Sequence, residues 1–87
     1  MTVEIRESFV KVAKKLPAHV QQRIANIIEE IGNAKTIRDI GNCKKLTGFK
    51  TAYRIKVDTY RIGLFYTKGE VELTTVLHRK EIYRYFP

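Results

Sequence analysis

Arg54, Lys56 and Arg61 crowd into the stretch "YRIKVDTYR", and His78, Arg79 and Tyr83 follow in the closing "LHRKEIYRYFP". These side chains match what metal-free cleavage of an RNA phosphodiester requires. That reaction needs a base for the 2′-hydroxyl proton, fixed positive charge on the phosphorane-like transition state, and an acid for the departing 5′-oxygen. In this reading Arg54, Lys56, Arg61 and Arg79 supply charge, while His78 and Tyr83 move protons. An imidazole is matched to neutral pH. A phenol is a weak base there and serves only where cations such as Arg61 or Arg79 hold the phenolate, so both remain candidates for the general base. No carboxylate pair, metal-ligand cluster, glycine-rich phosphate loop or Ser-His-Asp arrangement competes for the role. Neither a metal nor a small-molecule cofactor is expected. His19, among polar neighbours, reads as an exposed helical residue.

The elements that must position these groups follow from periodicity. "TVEI" at residues 2–5 is β-prone and short. Phe9, Val12, Ala13 and Leu16 then recur at helical spacing, and Pro17 separates them from a second series, Val20, Ile24, Ile27, Ile28 and Ile31, with Gly32 as the expected stop. Two helices joined at "LP" make an αα-hairpin. Residues 33–50 carry two glycines and two asparagines and little periodicity, and read as a long loop with room for one short turn of structure. From Ala52 onward the pattern changes to period two, giving three strands joined at Asp58-Thr59 and at Lys68-Gly69. The expected fold is α+β, in the order β-α-α-β-β-β, with a three-stranded antiparallel meander and a short C-terminal tail.

Two-residue loops fix a register. Val57 faces Tyr60, Lys56 faces Arg61, Thr67 faces Glu70 and Arg61 faces Val76. Tyr53, Ile55, Val57, Tyr60, Ile62, Leu64, Tyr66, Val71, Leu73, Thr75 and Leu77 then share the face that the helices cover. Arg54, Lys56, Arg61, Gly63, Phe65, Glu72, Thr74, Val76 and His78 share the other. Like charges opposed on a sheet repel, so Lys56 against Arg61 suits a face that expects an anion. The competing reading is a solvated outer face, where such residues are common. Lys44 and Lys45 before the sheet, and Arg79, Lys80 and Arg84 after it, favour a basic cleft. Phe65, Tyr83, Tyr85 and Phe86 are the aromatics available to stack on bases, although Ile82, Tyr83 and Phe86 also suit docking of the tail onto the sheet.

Composition sets the outer limits. With 87 residues there is room for a single domain, 1–87, and one modest core. Seventeen Lys and Arg against nine Asp and Glu give a formal charge of +8, which favours a polyanionic partner such as nucleic acid, ribosome, acidic protein or anionic membrane. Cys43 is the only cysteine, so a disulfide framework is excluded and a reducing, cytoplasmic setting is expected. No apolar signal core opens the chain and no long apolar run suits a membrane span.

The strings "KKLTG", "AYRIKVDTYRIGLFY" and "HRKEIYRYF" resemble the RelE/ParE toxin superfamily of type II toxin-antitoxin systems, and the resemblance extends over essentially the whole chain. It implies a short strand and two helices packed on an antiparallel sheet. For the RelE branch it implies a ribosome-dependent endoribonuclease that cleaves mRNA in the ribosomal A site. Carried over by motif, Arg54 and Lys56 take the basic strand positions of "YRIKV", Arg61 is the arginine after the turn, and Tyr83 matches the tyrosine of "HRKEIY"; His78 or Arg79 takes the remaining basic position. Beside these, the residue types themselves offer Lys44, Lys45, Phe65, Lys80, Arg84 and Phe86 as candidate RNA contacts. A separate acidic antitoxin is the implied protein partner. ParE-like members of the superfamily inhibit DNA gyrase instead, and a catalytically idle basic module is the third reading; retention of Arg54, Lys56, Arg61, His78 and Tyr83 together favours the ribonuclease.

Overall fold

The computed structural model describes residues 1–87. In chain order it contains β1 (Thr2–Ile5), α1 (Glu7–Ala13), α2 (Ala18–Asn33), a 3-10 turn (Ile37–Asp39), β2 (Cys43–Lys45), β3 (Ala52–Val57), β4 (Tyr60–Thr67), β5 (Glu70–His78) and a closing helical turn, α3 (Ile82–Tyr85). One five-stranded sheet runs in the order β1-β5-β4-β3-β2. β1 joins it parallel to β5, and every other pairing is antiparallel.

The apolar stripes of the two helices cover one face of this sheet. Phe9 of α1 and Val20, Ile24 and Ile31 of α2 are buried against Ile55, Val57, Ile62, Leu64, Val71, Leu73 and Val76. Gly32 does not end α2, which continues to Asn33. The terminal ammonium of Met1 donates to the carbonyls of Ile31, Gly32 and Ala34 at 3.2, 3.1 and 2.7 Å, placing a cation on the negative end of the helix. No helix is long and apolar enough to cross a membrane.

Two expectations about the sheet need correction. Residues 33–50 are not simply a loop, because Cys43–Lys45 add an edge strand on β3 with Lys44 opposite Arg54 and Lys45 opposite Tyr53. Three residues are too few for a period-two pattern to register, so the strand is invisible until β3 offers its edge. The second correction concerns β5. The predicted register holds from Thr67↔Glu70 to Leu64↔Leu73, but the next pair is Gly63↔Thr75. Thr74 is therefore an extra residue, a β-bulge, and from there Arg61 faces Leu77, not Val76, while His78 faces Tyr60. The Thr74 carbonyl, freed from the ladder, accepts a hydrogen bond from Ser8 Oγ at 2.7 Å, so α1 satisfies the polar group that the bulge exposes. Beyond the bulge every side chain changes face, which takes Val76 into the core at 0% exposure.

The outer face carries its own small core. Leu46, Ala52, Ile82 and Phe86 are buried together, with Phe65 and Leu77 packed beside them. Gly63 makes this packing fit: a Cβ there would lie 2.7 Å from Cγ of the Phe86 ring. An isolated glycine inside a strand is a sequence signal for such a close approach, and here it is the seat of the tail.

Candidate functional site

The site is built on the outer face, where strand alternation and the tail converge. Lys44 and Arg54 are paired across β2 and β3, and Lys56 and Arg61 across β3 and β4. Arg54 and Lys56 lie two positions apart on β3, so the two rows are neighbours on one face. Like charges in these rows raise the energy of the unliganded face, and an anion laid across it relieves the repulsion.

Arg61 is held by its own turn. Its Nη1 donates to the carbonyls of Asp58 at 3.0 Å and Tyr60 at 2.8 Å. Asp58 adopts the left-handed region, φ 58, a conformation that Asp tolerates better than most residues. With both Nη1 hydrogens used, the remaining N–H groups of the guanidinium fork stay available for a ligand, and the side chain is fixed before anything binds. Arg79 stands at the same end of the sheet, its backbone N–H donating to Thr59 O at 2.8 Å.

The tail reaches the cations through α3. Ile82 and Phe86, 0% and 4% exposed, anchor it on the outer face. Tyr83, between these anchors in sequence, is turned outward at 66% exposure, and the Arg54 guanidinium lies 5.8 Å from its ring centroid. This is a cation–π contact. The sheet thus brings together Lys44, Arg54, Lys56 and Arg61, and the tail adds Tyr83.

Other candidates lie elsewhere. The register expected from two-residue loops puts His78 beside Arg61 on the cationic face, but the bulge places it across from Tyr60, with ring centroids 6.0 Å apart. Tyr60 packs against the main core, so His78 belongs to the helix-covered side. Its Nδ1 accepts the Lys80 backbone N–H at 3.2 Å. Lys45 alternates away from Lys44. Phe86 is buried against Gly63 and is a packing residue, not a surface for bases. Phe65 leans on Phe86 with centroids 5.2 Å apart and faces Glu72 across the ladder. It lines a cavity of about 460 Å³ together with Glu4, Glu70 and Glu72, so it sits at the acidic end of the outer face. Lys80 and Arg84 are exposed on the tail.

Sequence reasoning passed over Phe49, which is 48% exposed in the β2–β3 loop. A lone aromatic in a glycine-containing loop gives no periodic signal; only its place next to the basic "KKLTGFK" hinted at a surface role. His19 is indeed exposed and meets Asp58 at 3.5 Å. Cys43 is half-buried at the edge of the sheet, and burial pushes its thiol up to about 11, against a smaller opposing pull from Arg54.

No family model matches the chain. Over 88 aligned residues it is 42% identical to toxin RelE3 of Methanocaldococcus jannaschii, with both proteins covered in full. Among solved structures it matches the RelB-RelE antitoxin-toxin complex of Methanococcus jannaschii, with a TM-score of 0.81 and 40% identity over 97% of this chain and 99% of the other. The fold also matches the RelE-RelB complex of Pyrococcus horikoshii, with a TM-score of 0.72 and 20% identity over 90% of this chain and 93% of the other. The cationic strands and tail described above thus sit on a shared scaffold, and the chain belongs to the RelE toxin family of type II toxin-antitoxin systems, within the RelE/ParE superfamily.

Proposed function

We propose that this chain is an mRNA endoribonuclease acting on the ribosomal A site, without a metal, through 2′-hydroxyl attack. The observation that supports this reading most is the pair of adjacent cation rows, Lys44–Arg54 and Lys56–Arg61, with Tyr83 held beside Arg54 on the same face. The 2′-oxygen loses its proton and attacks phosphorus, the bond to the 5′-oxygen breaks, and that oxygen takes up a proton. The products are a 2′,3′-cyclic phosphate and a 5′-hydroxyl.

Arg54, Lys56 and Arg61 stabilise the extra negative charge on the phosphorane, a contribution of about 10² to 10³ in rate for one such donor. Arg79, at the end of β5 near the turn that holds Arg61, adds charge where the chain leaves the site. Tyr83 is the proton-moving group on this face, with the Arg54 guanidinium 5.8 Å from its ring centroid. His78, turned toward Tyr60, is assigned to the strand end and not to the chemistry.

The solved complexes that match this fold pair RelE with RelB. The corresponding partner proposed here is a small acidic antitoxin that neutralises the cationic face of a chain carrying +8. The ribosome places the activity in the cytoplasm.

The mechanism is tested with ribosomes programmed with an mRNA whose scissile nucleotide is 2′-deoxy. Removing the nucleophile should abolish cleavage, and the all-ribose control should yield 5′-hydroxyl ends. Cleavage of the deoxy substrate, or products with 5′-phosphate ends, would contradict it.

A further inference from the structure

A second feature of the outer face lies beside the cation rows. Leu46, Thr47, Phe49, Tyr83, Phe86 and Pro87 line a cavity of about 230 Å³. Leu46 and Phe86 are buried members of the outer core. Phe49 and Tyr83 instead remain 48% and 66% exposed. Single exposed aromatics are ordinary; two on one concave surface, backed by buried apolar groups, make a slot for a flat apolar body.

The exposure of Phe49 is built into the backbone. The Leu46 N–H donates to Ala52 O at 2.9 Å, closing the loop, and the Phe49 N–H donates to Leu46 O at 3.2 Å. Gly48 between them takes φ 86, a left-handed conformation that side chains rarely adopt. The loop therefore presents Phe49 from a fixed turn. Cations flank the slot: Arg54 lies 5.8 Å from the Tyr83 ring, Lys44 is paired with Arg54, and the exposed Lys50 follows Phe49 in the chain. A flat apolar body with an anion beside it is the chemistry of a nucleotide in single-stranded RNA, recognised by aromatic stacking and phosphate neutralisation.

We propose that this cavity is a nucleobase subsite in which one base of the bound mRNA stacks on Phe49 while its phosphate lies against Arg54 and Lys44. The assignment rests on the cleavage reading above and makes Phe49 a substrate-binding residue.

A chemical double-mutant cycle tests it. Ribosomes are programmed with mRNA that is intact or carries an abasic residue at each A-site position in turn, and cleavage is followed with wild-type protein, Phe49→Ala, Phe49→Leu and Phe49→Tyr. At one position the missing base should slow the wild type by about 5- to 160-fold, the range for loss of one stacked base. Phe49→Ala should slow intact mRNA by a similar factor, with no further loss on that abasic substrate. Phe49→Tyr should cleave as the wild type does, and Phe49→Leu, apolar without a π face, should behave as Phe49→Ala does. If Phe49→Ala does not fold, the Leu and Tyr variants complete the same cycle. Losses that multiply at every position, or full activity in Phe49→Leu, overturn the subsite and leave the cleavage reading standing. A wild-type protein that cleaves no programmed ribosome overturns both.

Discussion

Tyr83 and Phe86 lie three positions apart in the same tail, yet one faces water and the other is buried, and their substitutions should separate chemistry from packing. The Tyr83 ring is 66% exposed beside Arg54, so Tyr83→Ala should leave the urea midpoint nearly unchanged. If the phenol moves a proton, Tyr83→Phe loses nearly as much cleavage as Tyr83→Ala; a Phe variant with most of its activity would assign the ring to stacking alone. Cys43 allows a test at the same scale. Burial raises its thiol from 9.0 to about 11, so the folded state disfavours the thiolate. The unfolded chain releases that proton first, near pH 9, and the stability that rests on the neutral thiol is lost as the pH rises from there through about 11. Urea midpoints at pH 8 and pH 10.5 should therefore fall further for the wild type than for Cys43→Ala. Equal falls would assign the change to other groups.

Among the elements, the Gly63 notch couples sheet to tail. A methyl group at Gly63 would sit 2.7 Å from the Phe86 ring, and overpacking of this kind costs about 1 to 3 kcal/mol. Gly63→Ala should therefore lower the urea midpoint, speed proteolysis of the tail and reduce cleavage, because Tyr83 is carried by the element that Phe86 anchors. Normal proteolysis and cleavage in this variant would show that the tail docks by other contacts. The residues involved also show what could be read from sequence. Period-two alternation identified β3 and β4 and put Arg54, Lys56 and Arg61 on one face, because in a paired strand side-chain direction follows from position alone. The same rule failed for His78, since the bulge at Thr74 depends on a non-local partner, Ser8 on α1. β2 carries no signal of its own because it is short and exists only as an addition to the β3 edge, and of the two readings open for Phe86, base stacking and docking, burial selects docking, which sequence cannot decide because it requires the tail to fold back over Gly63.

Over the whole molecule, the outer face is divided by charge. Glu4, Glu70 and Glu72 line its β1–β5 side, with Arg6 bridging to Glu72 at 3.2 Å, while Lys44, Arg54, Lys56 and Arg61 occupy the β2–β4 side. A polyanion meets attraction on one half and repulsion on the other, which orients it toward β3 as well as binding it. Neutralising phosphates with these four cations gives a log–log salt slope of about −3 for a single strand, so affinity for programmed ribosomes should fall about 50-fold between about 50 and about 200 mM salt. Affinity that stays level over that range would point to a partner held by other forces. The central claim, that this face cleaves mRNA, is tested most directly by mapping mRNA 5′ ends genome-wide after brief induction of the toxin in cells without its antitoxin. The wild type should generate new 5′ ends within coding sequences, and Arg61→Ala, folded by circular dichroism, should generate essentially none. Growth arrest with intact mRNA and accumulated DNA breaks, or unchanged cleavage by Arg61→Ala, would contradict the account.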